Sequence, residues 1–454
     1  MTPEQMAAWS GGEWSATPTF PIVFATQDSR KVRLGALYVA LPGTRADGHD
    51  FVGAAFRAGA TAALVRRDWT PPADLARLPL LRADDPAAAL RALAKGFRAN
   101  HKAHILGITG SNGKTTVKEL LAAMLSGAGE TAATPENRNN DIGLPLSLLS
   151  IPESARFGVI EAGISHPGDM DPLADMLRPD GAVVSCIGPA HIAFFGTERA
   201  IAAEKAKLLA AVRPKGFAVL SRETREFETL RAACRCRVVT CSLEGPADYA
   251  GDALGKGRLR VRHGDESAVL LETGLCGEHN LSNALLAYAA ARESGASPKQ
   301  ILAGLATFQP PAMRWEHVDL GWMRAINDAY NANPLSMQAA FQTFADEPAP
   351  GEKVVCVGDM LELGDEAQSA EYHRAVGRAA GNGPWRLLAA VGPAAKALLE
   401  GAVEAGYPRA CTAWFATTED ALAGLPLLLA PGDTLLIKGS RGMGLERLLP
   451  ALRK

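Results

Sequence analysis

No apolar run in this 454-residue chain reaches the length of a membrane span, and its first twelve residues hold one acid and no base. A membrane-spanning protein and one led by a secretory signal are therefore not expected. Neither sign of charge is in excess: 47 basic and 49 acidic residues leave a net charge of -2. Without a concentrated basic face, nucleic acid is not expected as a partner. Cysteine is sparse and scattered, seven residues with no C-x-x-C pair. That excludes a disulfide framework and fits a reduced, cytoplasmic setting. Cys234, Cys236 and Cys241 lie close in sequence but have no nearby histidine or fourth cysteine, so a zinc clip is not expected.

The stretch that is most informative covers residues 105–117: an apolar run, the glycine-broken turn Gly110-Ser111-Asn112-Gly113, and then Lys114-Thr115-Thr116 opening a helical pattern. A strand ending this way can bend until successive backbone N–H groups face one anion. Lys114 adds a point charge, and Thr115 adds a hydroxyl for Mg²⁺. Ile108 stands where the strict G-x-x-x-x-G-K-[ST] pattern has its first glycine, so the loop is a variant. Alone, such a loop leaves ATPases, GTPases, kinases and ligases open.

A chain of this length exceeds a single core. The pattern predicts an α/β protein of three domains: a small α/β unit over residues 1–100, a central P-loop ATPase unit with a mostly parallel sheet over 101–312, and a Rossmann-like unit over 313–454. In the first unit strands are expected at 36–41 and 62–65 and helices at 51–58 and 86–100. Its polar clusters at 28–31 and 42–50 read as turn chemistry, above all at Asp47-Gly48, although the second follows a strand, where open sheets hold ligands. In the central unit strands are expected at 157–163, 181–188, 217–220 and 237–240, a helix at 197–212, a hairpin from 258–262 and 268–271, and a long helix from Gly277, with Asn280 or Ser282 as its cap. The last unit is expected to hold strands at 323–326, 353–357, 387–391 and 434–437 and helices at 335–344, 367–380 and 394–405.

Polar residues gather after these strands. Glu161 ends an apolar strand beside the phosphate loop, where a carboxylate can ligate Mg²⁺ or orient water, and a charge in so apolar a run needs a partner. His191 follows the next strand at the same sheet edge and is open between a structural group and a ligand. The loop 134–145 carries three asparagines, Asn137, Asn139 and Asn140, whose amides suit a polar ligand; a helix start accounts for one of them. Lys205 lies in a helix with Glu204 and Lys207 and matters to the chemistry only if held near metal and phosphates.

Taken together, the segments Thr109–Thr116, Asn137–Gly143, Glu161–Gly163, the Gly-x-x-His ending at His191, His279-Asn280, Arg314, Asp328–Pro334, Gly358–Gly364 and Lys438–Arg441 resemble the ATP-dependent Mur ligases of peptidoglycan synthesis over nearly the whole chain. The resemblance implies a cytoplasmic ligase that joins D-alanyl-D-alanine to UDP-N-acetylmuramoyl-tripeptide through an acyl phosphate. The implied N-terminal domain holds the UDP-sugar and the C-terminal one closes over the nucleotide. The resemblance also implies residue roles. Gly110, Ser111, Asn112, Gly113, Lys114, Thr115 and Thr116 would bind triphosphate, and Asn280, Arg314 and Asp328 the nucleotide. Thr115 and Glu161 would hold one Mg²⁺, and His191 a second, assisted by a carbamylated Lys205. Ser29, Arg30 and the loop 43–49 would face the uridine. Asn139 and Asn140, with Asn331 and Asn333 of the aspartate motif, would face substrate. Both substrates are small molecules, and a monomer is the simplest assembly. Ser185 and Cys186, Ala193, Lys207 and Glu136 depart from the family pattern, which has Thr-Asn, an acid, an acid and a glycine there. Lys207 is expected either to lower the Lys205 amine's pKa or to pair with its carbamate. The competing readings are a folylpolyglutamate-type ligase, which would not need residues 1–100 for a UDP-sugar, and a nucleotide switch, which would need a guanine-reading motif that the chain lacks.

Overall fold

The computed structural model describes residues 1–43 and 46–453. Three sheets follow one another along the chain. The first orders its five strands Glu13–Trp14, Leu80–Ala83, Ala62–Arg66, Ala36–Val39 and Phe24–Thr26, parallel except for the first pair. The third orders its six strands Glu316–Asp319, Arg324–Asn327, Thr434–Lys438, Lys353–Gly358, Leu387–Val391 and Thr412–Phe415, again with one antiparallel edge pair.

The nine-stranded central sheet positions the site. Its parallel part runs Tyr249–Ala253, Arg237–Ser242, Phe217–Ser221, Gly181–Val184, His104–Thr109, Phe157–Glu161 and Thr131–Ala133. The hairpin of Arg258–Arg262 and Val269–Glu272 adds to one edge in antiparallel sense. The first strand of the unit, His104–Thr109, lies inside the sheet, and the chain winds away from it on both sides. That makes its carboxyl end the switch point where open α/β sheets leave a crevice. Register puts Ile108 opposite Glu161 and Thr109 opposite Val184, so three strand ends stand level at that crevice.

Local chemistry explains where the expected elements begin and end. The helix Pro86–Asn100 matches its expected bounds, because Asp85 accepts hydrogen bonds from Ala87 N at 2.8 Å and Ala88 N at 3.1 Å with proline at the first helical position. The helix expected over 51–58 is instead a 3₁₀ turn, Gly48–Phe51, followed by Val52–Arg57. The Asp47 carboxylate accepts His49 N at 3.0 Å and starts the turn early. Of the loop 43–49, residues 44 and 45 lie outside the described residues. The strands expected over 157–163 and 181–188 stop at Glu161 and Val184: beyond the first, Gly163 N turns to Asn139 O at 2.9 Å, and beyond the second, the carbonyls of Cys186 and Gly188 turn to Ser111 of the phosphate loop. Gly277, at φ 90°, caps the helix Glu278–Glu293, so neither Asn280 nor Ser282 is the cap.

The helix Pro86–Asn100 is bolted to the central unit by one buried cation. Arg98 donates to Leu177 O at 2.9 Å, to Arg178 O at 3.0 Å and to the Asp180 carboxylate at 2.9 Å. Asp180 also accepts Ile105 N at 2.8 Å at the root of the first central strand. Without Arg98 the Asp180 carboxylate keeps Arg213 at 3.2 Å, but the carbonyls of Leu177 and Arg178 lose their donor, at a cost of about 1–3 kcal/mol each. Arg98→Ala is therefore expected to lower the stability of the central unit by about that amount, read as a shift of its denaturant unfolding midpoint. Replacement of the exposed Arg231 is expected to shift it by less than about 1 kcal/mol.

Candidate active site

The loop after Thr109 can only be made with glycine at two places. Gly110 sits at φ 147°, where a Cβ would lie 1.9 Å from Ser185 Oγ, and Gly113 at φ 77°, where one would lie 2.5 Å from Asn283 Oδ1. The loop is braced from the neighbouring strand end. Ser111 N donates to Cys186 O at 2.8 Å, Ser111 Oγ to Gly188 O at 2.9 Å, and Ser185 Oγ to Asn112 O. Cys186 Sγ also donates to Asn112 O at 3.5 Å. The two unusual residues, Ser185 and Cys186, thus serve as loop supports. The helix Lys114–Ser126 then starts with no side-chain cap, leaving its first N–H groups and its dipole facing the crevice.

Around this loop lies a cavity of about 520 Å³ whose wall includes Lys114, Asn139, Glu161, His191, Asn280, Arg314, Asp328 and Lys438, so it is shared by the central and C-terminal units. Its size suits a nucleotide-sized ligand. The Glu161 carboxylate accepts from Thr115 Oγ1 at 2.9 Å and from Asn139 Nδ2 at 2.7 Å, while Glu161 N donates to Thr134 Oγ1 at 2.9 Å. Thr115 Oγ1 also accepts from Arg314 Nη2 at 3.1 Å, and the Arg314 guanidinium stacks 4.2 Å from the Tyr330 ring centre. Lys114 Nζ folds onto Gly110 O at 2.9 Å. Burial, seconded by Arg314, holds its ammonium below the usual lysine range, against the pull of Glu161.

The hydroxyl and carboxylate of Thr115 and Glu161 are hard oxygen donors one hydrogen bond apart beside the phosphate loop. That fits Mg²⁺, which takes one or two protein oxygens and fills its shell with water and phosphate. Among the described residues no three His, Cys, Asp or Glu side chains cluster closely enough to cage a metal alone. His191 faces the same cavity, with its Nδ1 bonded to the Glu362 carboxylate. Lys205 is fully buried below the cavity wall. Its pKa is depressed well below the ordinary value, first by burial and then by Lys114.

Models of three recognised domains match the chain: the Mur ligase family catalytic domain over residues 21–98, the Mur ligase middle domain over 108–291, and the Mur ligase, glutamate ligase domain over 313–441. The chain is 32% identical over 430 residues to the UDP-N-acetylmuramoyl-tripeptide–D-alanyl-D-alanine ligase of Bacillus subtilis, covering 94% of this chain and 92% of that one. The chain belongs to the Mur ligase family. Among solved structures it is similar to MurF from Acinetobacter baumannii, at a TM-score of 0.87 and 30% identity, covering 100% of this chain and 98% of that one. It is also similar to the MurF ligase from Thermotoga maritima in complex with ADP, at a TM-score of 0.78 and 26% identity, covering 95% and 97%.

In this Mur ligase the residues expected from sequence divide by location. The residues 111–114 and Thr116, with Asn139, Asn140, Glu161, His191, Asn280, Arg314, Asp328 and Asn331, share the cavity wall. Ser29 and Arg30 do not: they form an outer turn of the N-terminal unit, where Arg30 is clamped by its own neighbour Asp28 at 2.9 Å. Asn140 and Asn333 are occupied structurally. The first accepts Gly143 N at 2.8 Å; the second caps the helix Pro334–Asp346 and exchanges two amide bonds with Asn112, at 3.0 and 2.7 Å. Lys207 does not face Lys205. It pairs at 2.8 Å with both Asp171 and Glu204, and the pKa of the Lys205 amine is depressed chiefly by burial and Lys114 rather than by Lys207.

Sequence reasoning missed Lys118, Asn283 and Glu204. Glu204 accepts Gly168 N at 3.0 Å and Met170 N at 2.9 Å, fixing the segment that follows Glu161. Lys118 is completely buried in the phosphate-loop helix and donates to Thr134 O at 2.7 Å and Glu136 O at 3.2 Å, pinning the asparagine loop. The signal was a lysine on a helix face of Val117, Leu121 and Met124, where a free charge is not tolerated. Lys118→Met is expected to raise the KM for the asparagine-loop ligand about tenfold or more while leaving the KM for ATP within about threefold, measured by steady-state kinetics; each buried carbonyl left without its donor costs about 1–3 kcal/mol.

Proposed function

We propose that this Mur ligase joins D-alanyl-D-alanine to UDP-N-acetylmuramoyl-tripeptide, converting ATP to ADP and phosphate, in cytoplasmic peptidoglycan precursor synthesis. The observation that carries the proposal is the meeting of Lys114, Thr115, Asn139 and Glu161 at one switch point, in a chain alike over nearly its whole length to ligases of that name. The seven free cysteines suit a reduced compartment, and the segmented chain suits a monomer.

A carboxylate does not condense with an amine in neutral water, because oxide is too poor a leaving group. In the proposed reaction an oxygen of the tripeptide's terminal carboxylate attacks the γ-phosphorus, and the bond to ADP breaks. The amine of D-alanyl-D-alanine then attacks the acyl carbon, loses a proton, and phosphate departs with the oxygen. The chain's task is positioning and charge neutralisation. The N–H groups of residues 110–116 and Lys114 cradle the β- and γ-phosphates, Arg314 neutralises charge from the C-terminal side, and Asn280 and Asp328 hold the nucleoside. Asn139 presents the acceptor carboxylate beside Glu161. Thr115 and Glu161 hold one Mg²⁺, and His191, with Lys205 as a carbamate, holds a second. Mg²⁺ neutralises the transferring phosphoryl oxygens when bound. The lowered pKa of Lys205 supplies the neutral amine that carbamate formation needs, and the buried position shields the product. Residues 1–100 are assigned to the UDP-sugar, 101–312 to ATP, and 313–454 to closure over the nucleotide.

Phosphate release is expected only with UDP-tripeptide, dipeptide and ATP all present; steady release from ATP alone, followed by a coupled phosphate assay, would count against a ligase. Lys114→Ala is expected to lower turnover by at least about 10³-fold, since it removes the one lysine at the phosphates. Lys205→Ala is expected to lose about 10²-fold or more in kcat and to recover much of it in millimolar short carboxylic acid, as a missing carbamate would; an unimpaired variant removes the carbamate.

A further inference from the structure

The loop 358–364 follows a strand of the C-terminal unit, and one of its side chains reaches into the neighbouring unit. Glu362 extends its carboxylate to Nδ1 of His191. A carboxylate only accepts, so the proton in this bond is on Nδ1. Nε2 then keeps its lone pair and has no hydrogen-bond partner among the described residues. Both residues hold left-handed backbone, φ 60° at His191 and φ 62° at Glu362. Side-chain-bearing residues keep that conformation where their surroundings over-determine it, and such positions cluster at functional sites.

The surroundings come from both units. Ala193 N donates to Glu362 O at 3.2 Å, and Ile192 and Ile201 of the central unit are buried in the C-terminal core with Met337, Met360 and Leu363. On the far side Leu361 N donates to Ser440 Oγ at 2.9 Å, and Ser440 N to Asp359 O at 3.1 Å. The Asp359 carboxylate accepts Ala395 N at 2.6 Å. Glu362 is therefore delivered to His191 by a braced loop.

Histidines that ligate metals nearly always give their other ring N–H to a carboxylate or carbonyl, which fixes the tautomer and aims the ligating nitrogen. We propose that Glu362 is a positioning residue for His191: the C-terminal unit supplies the carboxylate that turns the imidazole's Nε2 to the cavity, so the second metal position of the central unit is complete only when the C-terminal unit is docked. This rests on the reading of His191 as a metal ligand given above. It gives the C-terminal unit a part in metal binding besides its contact with nucleotide.

The test uses the full chain with Mn²⁺ and a non-hydrolysable ATP analogue, following bound Mn²⁺ by electron paramagnetic resonance, alongside steady-state kinetics. Wild type is expected to bind two Mn²⁺. Glu362→Ala is expected to keep the first at wild-type affinity and to bind the second about 10–100-fold more weakly, with kcat falling in proportion and the KM for ATP within about threefold. Glu362→Gln, which retains an oxygen acceptor for Nδ1–H, is expected to lose less than a third as much in both measures. Unchanged Mn²⁺ binding in Glu362→Ala, or a loss confined to KM, overturns the proposal, as does a wild-type ligase that binds a single Mn²⁺. Failure of wild type to ligate removes the assigned reaction instead, and the Mn²⁺ titration of the two variants still decides the role of Glu362.

Discussion

A carboxylate must be held at the end of a strand whose other residues are all buried and apolar, and much of the central unit is arranged to allow it. Glu161 is 1% exposed. An ionised group so placed costs several kcal/mol unless its oxygens are bonded. One oxygen takes the Thr115 hydroxyl, the other the Asn139 amide, and the backbone N–H of the same residue goes to Thr134. These three bonds require the phosphate-loop helix to start where it does, the asparagine loop to fold back over the strand end, and Thr134 to end its own short strand alongside. Lys118 supplies the last constraint by tying that loop to the helix from beneath.

The two outer units are attached by different physics. The N-terminal unit connects through a helix whose last turn places Arg98 in a buried, multiply bonded site, and such a tie breaks only at high cost. The C-terminal unit buries Ile192 and Ile201 of the central unit in its core, and at the cavity it makes polar contacts of single residues: the Asn112–Asn333 amide exchange, the Arg314 bond to Thr115 and the Glu362 bond to His191. Each is worth about 1 kcal/mol net and lies on the wall of the cavity or beside it. The polar part of the C-terminal attachment thus borders the cavity, whereas the Arg98 tie of the N-terminal unit lies away from it.

What could be read in advance follows from where the information resides. The helix Pro86–Asn100 and the strand Leu387–Val391 fall on their expected bounds, because an Asp-Pro start and an uninterrupted apolar run are local signals. The strands Thr131–Ala133, Tyr249–Ala253 and Thr412–Phe415 were not anticipated: short and partly exposed, they are strands only because a neighbour offers a ladder. The phosphate loop and Glu161 were read from chemistry that requires those residue types, and Arg314 only from the family resemblance. Asn333, placed with substrate by the resemblance, caps a helix and bonds Asn112 in the structure. Glu362 lay inside a motif noted for its position, but its partner is 171 residues away, a separation only the fold resolves.

Glu136 shows how a departure from a family pattern can be compatible with the same geometry. Its backbone is left-handed, φ 52°, which costs a side-chain-bearing residue about 1–2 kcal/mol and which glycine adopts freely. Its exposed pair with Lys31 at 3.1 Å is worth at most about 1 kcal/mol and cannot by itself hold the conformation. The Glu136 carbonyl is, however, one of three acceptors around the buried Lys118, with Thr134 O at 2.7 Å and the Glu119 carboxylate at 2.8 Å, so this turn is tied to the phosphate-loop helix. That bond, at 3.2 Å, goes to the backbone carbonyl and does not depend on the side chain carried at this position. Given that, glutamate adds something glycine lacks, a carboxylate reaching from the asparagine loop to the N-terminal unit.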